Sequence, residues 1–179
     1  MPATPAETSA IEHEIRVAAR PETVFAYFTD PARMVQWMGA EATLDPRVGG
    51  VFRVAFQPSE RVLEMGTPEE RAELGEVPPV EPNAALGEFV EVDPPHRIVF
   101  TWGWENELFE TPPQSTSVEV SFTSDGDETI VRLVHRRLPA VAVPFHRAGW
   151  QHYLARLALA AVGEDPGPDP LQAAATPRA

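Results

Sequence analysis

One long amphipathic segment, from Pro144 to Gly163, constrains the fold of this chain more than any other feature. Its large apolar side chains recur every three or four residues, which places them on one face of an α-helix. These side chains are Trp150, Tyr153, Leu154, Leu157 and Ala161. Pro144 suits the first turn of a helix, and Gly163 suits a left-handed C-terminal cap. Because such a helix must bury its apolar face, the sequence predicts a sheet that the helix covers.

The rest of the chain supplies that sheet. Residues 11–17 alternate between apolar and polar, and residues 42–56 contain two extended pieces joined by the turn DPRVGG, which predicts a hairpin. From Ala85 onwards four more strands follow with short connections, as in an antiparallel meander. Residues 21–39 contain two short helices that each begin with a proline. This order predicts an α+β fold in which a curved antiparallel sheet surrounds the long C-terminal helix.

The domain organisation follows from where polar residues and prolines are concentrated. Residues 10–163 are predicted to form a single domain, which is long enough for a substantial core. We expect residues 1–9 to be disordered and residues 164–179 to form a flexible tail.

Residues 57–83 interrupt the strands and are rich in proline and glutamate, so we expect a long loop there. Thr67 and Glu70 have the spacing of a capping box, and Gly75 can end the short helix that they begin. The loop also carries six apolar side chains that could dock on an apolar rim. They are Val62, Leu63, Met65, Leu74, Val77 and Val80. We therefore predict that this loop is a lid.

Composition excludes several classes of function. The net charge of −13 repels phosphate groups, so neither nucleic acid nor an anionic membrane is expected as a partner. The absence of cysteine and lysine excludes thiolate metal sites and Schiff-base chemistry. No histidines have the spacing of metal ligands, and we expect neither a metal nor another cofactor. No apolar stretch reaches 18 residues, so we expect a cytoplasmic protein without a membrane-inserted segment.

Six segments of the chain form a recognisable series. They are IRVAARPETVFAYFTD, Trp37 with Gly39, DPRVGGVFR, GEFVEVDPPHRIVFTWGW, STSVEVSFTSDGDETIVRLVHRRLP and GWQHYLARL. In this order they resemble the START-like (SRPBCC) superfamily, which has the helix-grip fold. More narrowly, they are similar to its bacterial branch, related to the C-terminal domain of the heat-shock protein 90 ATPase activator. Family members usually have a short hairpin where this chain has residues 57–83.

The resemblance implies a cavity between the sheet and the long helix that holds an apolar small molecule. The side chains that would face it are Trp37, Phe52, Phe100, Trp102, Val118, Val120, Leu133, His135, Trp150, Tyr153 and Leu157. Large aromatic side chains can either line such a cavity or fill the core, and both alternatives remain open. His135 and Tyr153 are the candidates for proton transfer, the alternative being that local hydrogen bonds hold each of them.

Three functions are compatible with these features. The first is binding of an apolar small molecule, and the second is a chaperone-associated module that uses its outer surface, including the glutamate-rich loop. The third is an enzyme of the polyketide cyclase or aromatase kind, a chemistry found elsewhere in the superfamily. Because only His135 and Tyr153 are polar groups suited to catalysis, binding without turnover is favoured. Nothing in the sequence indicates a particular ligand or an oligomeric state.

Overall fold

The structure is a computed structural model that describes residues 8–74 and 76–173. Within these residues the strands are β1 (Thr8–Val17), β2 (Glu41–Leu44), β3 (Val51–Phe56), β4 (Asn83–Asp93), β5 (Arg97–Trp102), β6 (Thr116–Asp125) and β7 (Glu128–Pro139). The α-helices are α1 (Pro21–Thr29), α2 (Pro31–Met34), α3 (Pro68–Glu73) and α4 (Val143–Ala160). Short 3-10 turns lie at Glu60–Glu64, Leu108–Glu110 and Ala140–Ala142.

The described strands form one antiparallel sheet in the order β1-β7-β6-β5-β4-β3-β2. The predicted hairpin and the meander are therefore confirmed, and β1 joins the sheet beside β7. The first half of β4 pairs with β3, and its second half pairs with β5. A bulge between Phe89 and Glu91 lies in the β4–β5 pairing. Since a bulge bends the strand that carries it, β4 can follow the curvature of the sheet around α4.

The buried face of α4 is the one that the sequence predicts. Trp150, Tyr153, Leu154 and Leu157 are all buried against the sheet. Pro144 lies in the first turn of the helix. Gly163 has a φ of 81°, the left-handed conformation expected of a residue that follows a helix C-terminus. The α+β helix-grip prediction is thus confirmed.

Aromatic side chains dominate the core between the sheet and the helices. The rings of Phe52 and Phe100 are stacked with their centroids 4.0 Å apart, and Phe28 contacts Trp37 at 4.9 Å. The indole of Trp37 also donates to the backbone carbonyl of Tyr27 over 2.9 Å, which joins the segment after α2 to α1. These contacts hold α1 and α2 against one end of the sheet.

At the N-terminus, the structure differs from the predicted boundary. β1 begins at Thr8, and Ser9 pairs with Leu138 of β7, so these two residues belong to the sheet rather than to a disordered segment. Residues 1–7 lie outside the described part of the chain, as does Gly75, which was expected to end the short helix. Residues 8–10 are Thr, Ser and Ala, which do not show the alternation of apolar and polar side chains that begins at Ile11, so the sequence does not reveal this part of the strand.

The segment after α4 also differs from its prediction. Residues 164–173, predicted to be flexible, pack back against the body of the protein, and Leu171 is buried. Residues 174–179 lie outside the described part. The prolines in this segment do prevent helix formation, as predicted, but a non-helical segment can still dock through one apolar side chain.

Candidate functional site

A cavity of about 140 Å³ lies beside α4, beneath residues 57–83, which we call the insertion. Its floor is formed by Phe56, Trp102, Trp104, His146, Trp150 and Tyr153. The insertion covers it with Val62, Leu63, Met65, Leu74, Val77 and Val80, the six side chains predicted to dock. Gly149 leaves space for the cavity, because a Cβ added there would meet nothing nearer than the Met65 methyl group, at 3.8 Å.

The insertion is held over this cavity by polar contacts as well as apolar ones. The predicted capping box of α3 is formed, since Thr67 Oγ1 accepts from Glu70 N and the Glu70 carboxylate accepts from Thr67 N. The other carboxylate oxygen of Glu70 lies 3.3 Å from the Arg147 guanidinium of α4. The short helix therefore docks on the body of the protein.

The eleven side chains predicted to face a cavity are all buried, but only three of them line it. These three are Trp102, Trp150 and Tyr153. The other eight are buried elsewhere in the core and do not line this cavity: Trp37, Phe52, Phe100, Val118, Val120, Leu133, His135 and Leu157. Around these side chains the aromatic rings pack closely against one another, as the stacked pair of Phe52 and Phe100 illustrates. The cavity lies instead at the edge that the insertion covers.

His146 is a polar residue of the cavity floor. Its Nε2 accepts hydrogen bonds from the indole nitrogens of Trp104, at 3.1 Å, and Trp102, at 3.3 Å. Its Nδ1 lies 2.7 Å from the carbonyl oxygen of Ala142. A carbonyl can only accept, so Nδ1 carries the proton and the ring is neutral. Burial lowers the pKa of His146 to about 4, which agrees with this neutral form.

His135 lies behind the floor and is equally constrained. Its Nδ1 accepts from the indole of Trp150 at 3.0 Å, so the neutral ring carries its proton on Nε2 and donates to Thr116 Oγ1 at 2.7 Å. The Thr116 hydroxyl in turn donates to the backbone carbonyl of Trp102. Burial, and to a lesser extent the neighbouring His146, hold the pKa of His135 well below its usual value.

Tyr153 does not form the predicted pair with His135. Its hydroxyl accepts from the side-chain amide of Gln172 at 3.2 Å, whereas the ring nitrogens of His135 bond to Trp150 and Thr116. Burial, followed by the nearby Asp169 carboxylate, raises the pKa of Tyr153 above its ordinary value. Local hydrogen bonds therefore hold His135 and Tyr153 separately, which is the alternative to proton transfer that the sequence left open. The two groups have no proton to exchange with each other near neutral pH.

The family of the chain can be established from its sequence as a whole. A model of the family described as Activator of Hsp90 ATPase homolog 1-like protein matches residues 18–161. The chain belongs to this family. Among curated proteins, no sequence matches it.

Solved structures of similar proteins agree with membership of the Activator of Hsp90 ATPase homolog 1-like family. An AHSA1-like protein from Rhizobium etli is 33% identical, with 97% of this chain and 94% of that chain covered and a TM-score of 0.63. CalU16 from Micromonospora echinospora is 23% identical over 90% and 82% of the two chains, with a TM-score of 0.61. An HSP90 activator from Plasmodium falciparum is 23% identical over 83% and 92%, with a TM-score of 0.56. The last two similarities establish the fold alone.

Two residues of the cavity floor, His146 and Trp104, were not among those predicted to face a cavity. His146 lies four residues before Trp150, so it extends the apolar stripe of α4 by one turn. Trp104 lies two residues after Trp102, on the same side of the extended chain. The helical and extended periodicities could therefore have identified both positions. The hydrogen bond between the two residues joins positions 42 apart, and no local sequence pattern predicts it.

Within residues 8–74 and 76–173, no three His, Asp or Glu side chains are grouped closely enough to hold a metal ion. Over the same residues, no helix combines the length and the apolar character needed to span a bilayer.

Proposed function

We propose that this protein binds a small apolar molecule in the cavity beneath the insertion. The observation that supports this most directly is the chemistry of the floor: three indole rings and one phenol ring line it together with His146, whose two nitrogens are already hydrogen-bonded. A ligand that needed hydrogen bonds would find these groups occupied and would lose its bonds to water. An apolar ligand has no such cost and gains from leaving water.

The volume of the cavity limits the size of the ligand. An engineered apolar cavity of about 150 Å³ is known to hold benzene, and the present cavity of about 140 Å³ is similar. At this volume the cavity would accept a single ring or a short branched chain. Larger molecules would need the insertion to move.

Turnover is less well supported than binding. His146 and His135 are neutral, buried and engaged at both nitrogens, and the Tyr153 phenol holds its proton more tightly than an exposed tyrosine would. General acid–base catalysis needs a group that changes protonation near the working pH. A cyclase or aromatase reaction would have to use other groups.

The insertion would act as the lid of this site. Its six apolar side chains all line the cavity, but Leu63 and Val77 remain 43% and 45% exposed. These two side chains of the cover are only half-buried, and its α-helix has six residues. Such a segment has fewer stabilising contacts than the strands of the sheet. We therefore infer that the insertion opens more readily than the sheet and admits the ligand.

A second candidate function is contact with a heat-shock protein 90 chaperone. Membership of a family named for activators of that chaperone's ATPase supports it. The half-exposed Leu63 and Val77, in an insertion rich in glutamate, would offer a surface to a partner. Substitution of both with serine should then weaken capture of a purified heat-shock protein 90, whereas Gly149→Leu, which changes the cavity and not this surface, should leave capture unchanged.

Filling the cavity tests the binding proposal. Gly149→Leu would place a side chain in the space between α4 and Met65, and we expect benzene binding, measured by calorimetry, to weaken about tenfold or more. Loss of a helical glycine also favours the helix, so the fold should be retained. Gln151→Leu on the exposed side of α4 is the matched control. Unchanged binding in Gly149→Leu would count against the site.

A further inference from the structure

The segment that follows α4 contacts both the helix and the insertion. We propose that residues 164–173, which we call the strap, hold the insertion closed and determine how long a ligand the cavity accepts. This inference rests on the proposed binding function, because it concerns the same cavity.

Several bonds fix the strap to α4. The guanidinium of Arg156 donates to the carbonyl oxygens of Gly167, at 2.9 Å, and Pro166, at 3.4 Å. Asp169 Oδ1 lies 2.8 Å from His152 Nε2 and also accepts from the backbone nitrogen of Leu171, at 3.0 Å. The Asp169 side chain is only 9% exposed, so this contact is sheltered from water. Asp169 thus connects the helix to the turn that presents Leu171.

The strap is equally bonded to the start of the insertion. Ser59 donates from its backbone nitrogen to Leu171 O, at 2.8 Å, and from its hydroxyl to Pro170 O, at 2.6 Å. The backbone nitrogen of Gln57 donates to the side-chain oxygen of Gln172, at 2.8 Å. The insertion cannot lift at this end without breaking these three bonds. The strap therefore acts as the clamp of the lid.

Leu171 forms one wall of the cavity itself. It is 7% exposed and packs in the same apolar cluster as Phe56 and Tyr153, which are also cavity residues. The rest of the strap consists of acidic residues, prolines and small or polar residues, so Leu171 is its apolar anchor. Next to it, Gln172 bridges the Tyr153 hydroxyl and the Gln57 backbone. The position of Leu171 thus limits the cavity at this side.

The first test compares ligand length in Leu171→Ala and the full-length parent protein. Benzene, n-butylbenzene and n-hexylbenzene are titrated by calorimetry. The parent should bind benzene and lose affinity as the chain lengthens, whereas Leu171→Ala should bind n-hexylbenzene about tenfold more tightly than the parent does. Leu159→Ala, on the outer side of α4 where the leucine is 40% exposed, should behave as the parent. An identical length profile in Leu171→Ala and parent would overturn the selectivity role.

The second test measures, without any ligand, whether the strap holds the start of the insertion in place. In Asp169→Ala, amide hydrogen exchange at Gln57 and Ser59 should accelerate about tenfold or more, while that at Val120 in the central sheet stays unchanged. Glu164→Ala at the exposed start of the strap is the control. Unchanged exchange at Gln57 and Ser59 would overturn the clamp. If neither the parent nor the variants bound any alkylbenzene, both the proposed binding function and the selectivity role of the strap would fail. If the proteins bound alkylbenzenes but the length profile and the amide exchange were unchanged in the variants, only the role of the strap would be overturned.

Discussion

His146 and its two indole partners set the shape of the cavity floor. The imidazole is held from both sides, by Ala142 immediately before its own helix and by Trp102 and Trp104 at the end of β5 and just after it. Rotation of any of these rings would leave a buried polar atom without a partner, which costs about 1–3 kcal/mol. The floor is therefore rigid before any ligand arrives, and such preorganisation favours binding.

The neutral state of His146 predicts how stability depends on pH. An unfolded histidine titrates near 6.5, whereas burial lowers the pKa of His146 to about 4 in the folded protein. The unfolded state therefore binds a proton first as pH falls, and stability that is complete above pH 6.5 is lost on the way to pH 4. For this one group the loss is about 3 kcal/mol.

Denaturant unfolding between pH 7 and pH 4 measures this contribution. His146→Gln, which keeps a hydrogen-bonding side chain that does not titrate, should make stability fall less steeply than in the parent. Burial also lowers the pKa of His135, which is present in both proteins and makes the same kind of contribution. The plot of stability against pH should therefore become shallower in His146→Gln but not flat. Gln151→Leu on the exposed side of α4, which changes no titratable group, serves as the control and should leave the slope as it is. The same slope in His146→Gln as in the parent would mean that His146 is not buried in its neutral form.

Among the elements, the insertion combines what the sequence can and cannot predict. The capping box of Thr67 and Glu70 is local, so it could be read directly from residue spacing. The docking of α3 depends on Arg147, which is 77 positions from Glu70 and belongs to a different element. No local pattern encodes such a contact. The same holds for the strap, whose prolines predict the absence of a helix but not the burial of Leu171.

Replacement of residues 60–80 by a short Gly/Ser link tests the insertion as a lid. The link removes the apolar cover and keeps the floor, so benzene should be released faster, as measured by exchange broadening in NMR spectra, while the fold is retained. Neutralising the exposed Glu69 and Glu73 with glutamine keeps the cover and changes only its charge. Release that is equally fast in all three proteins would argue against a lid and in favour of a surface role for the insertion.

For the whole molecule, the sheet and its covering helix were predictable because short antiparallel connections leave few arrangements. Strands β4 to β7 follow one another in space as they do in sequence, and the stripe of α4 fixes which face meets them. The location of the cavity was not predictable in the same way. A cavity is the space that remains after side chains such as Phe52 and Phe100 have packed, and periodicity gives the direction of a side chain but not that remaining volume.

The proposed apolar ligand would lie between the tryptophan floor and the insertion. The most direct measurement is the set of intermolecular nuclear Overhauser effects between benzene and the protein in solution. If benzene occupies the cavity, we expect cross-peaks from benzene to the Met65 and Leu171 methyl groups and to the indoles of Trp102 and Trp104, all lost in Gly149→Leu. Benzene cross-peaks confined to other parts of the surface, or cross-peaks to these groups that persist in Gly149→Leu, would contradict it.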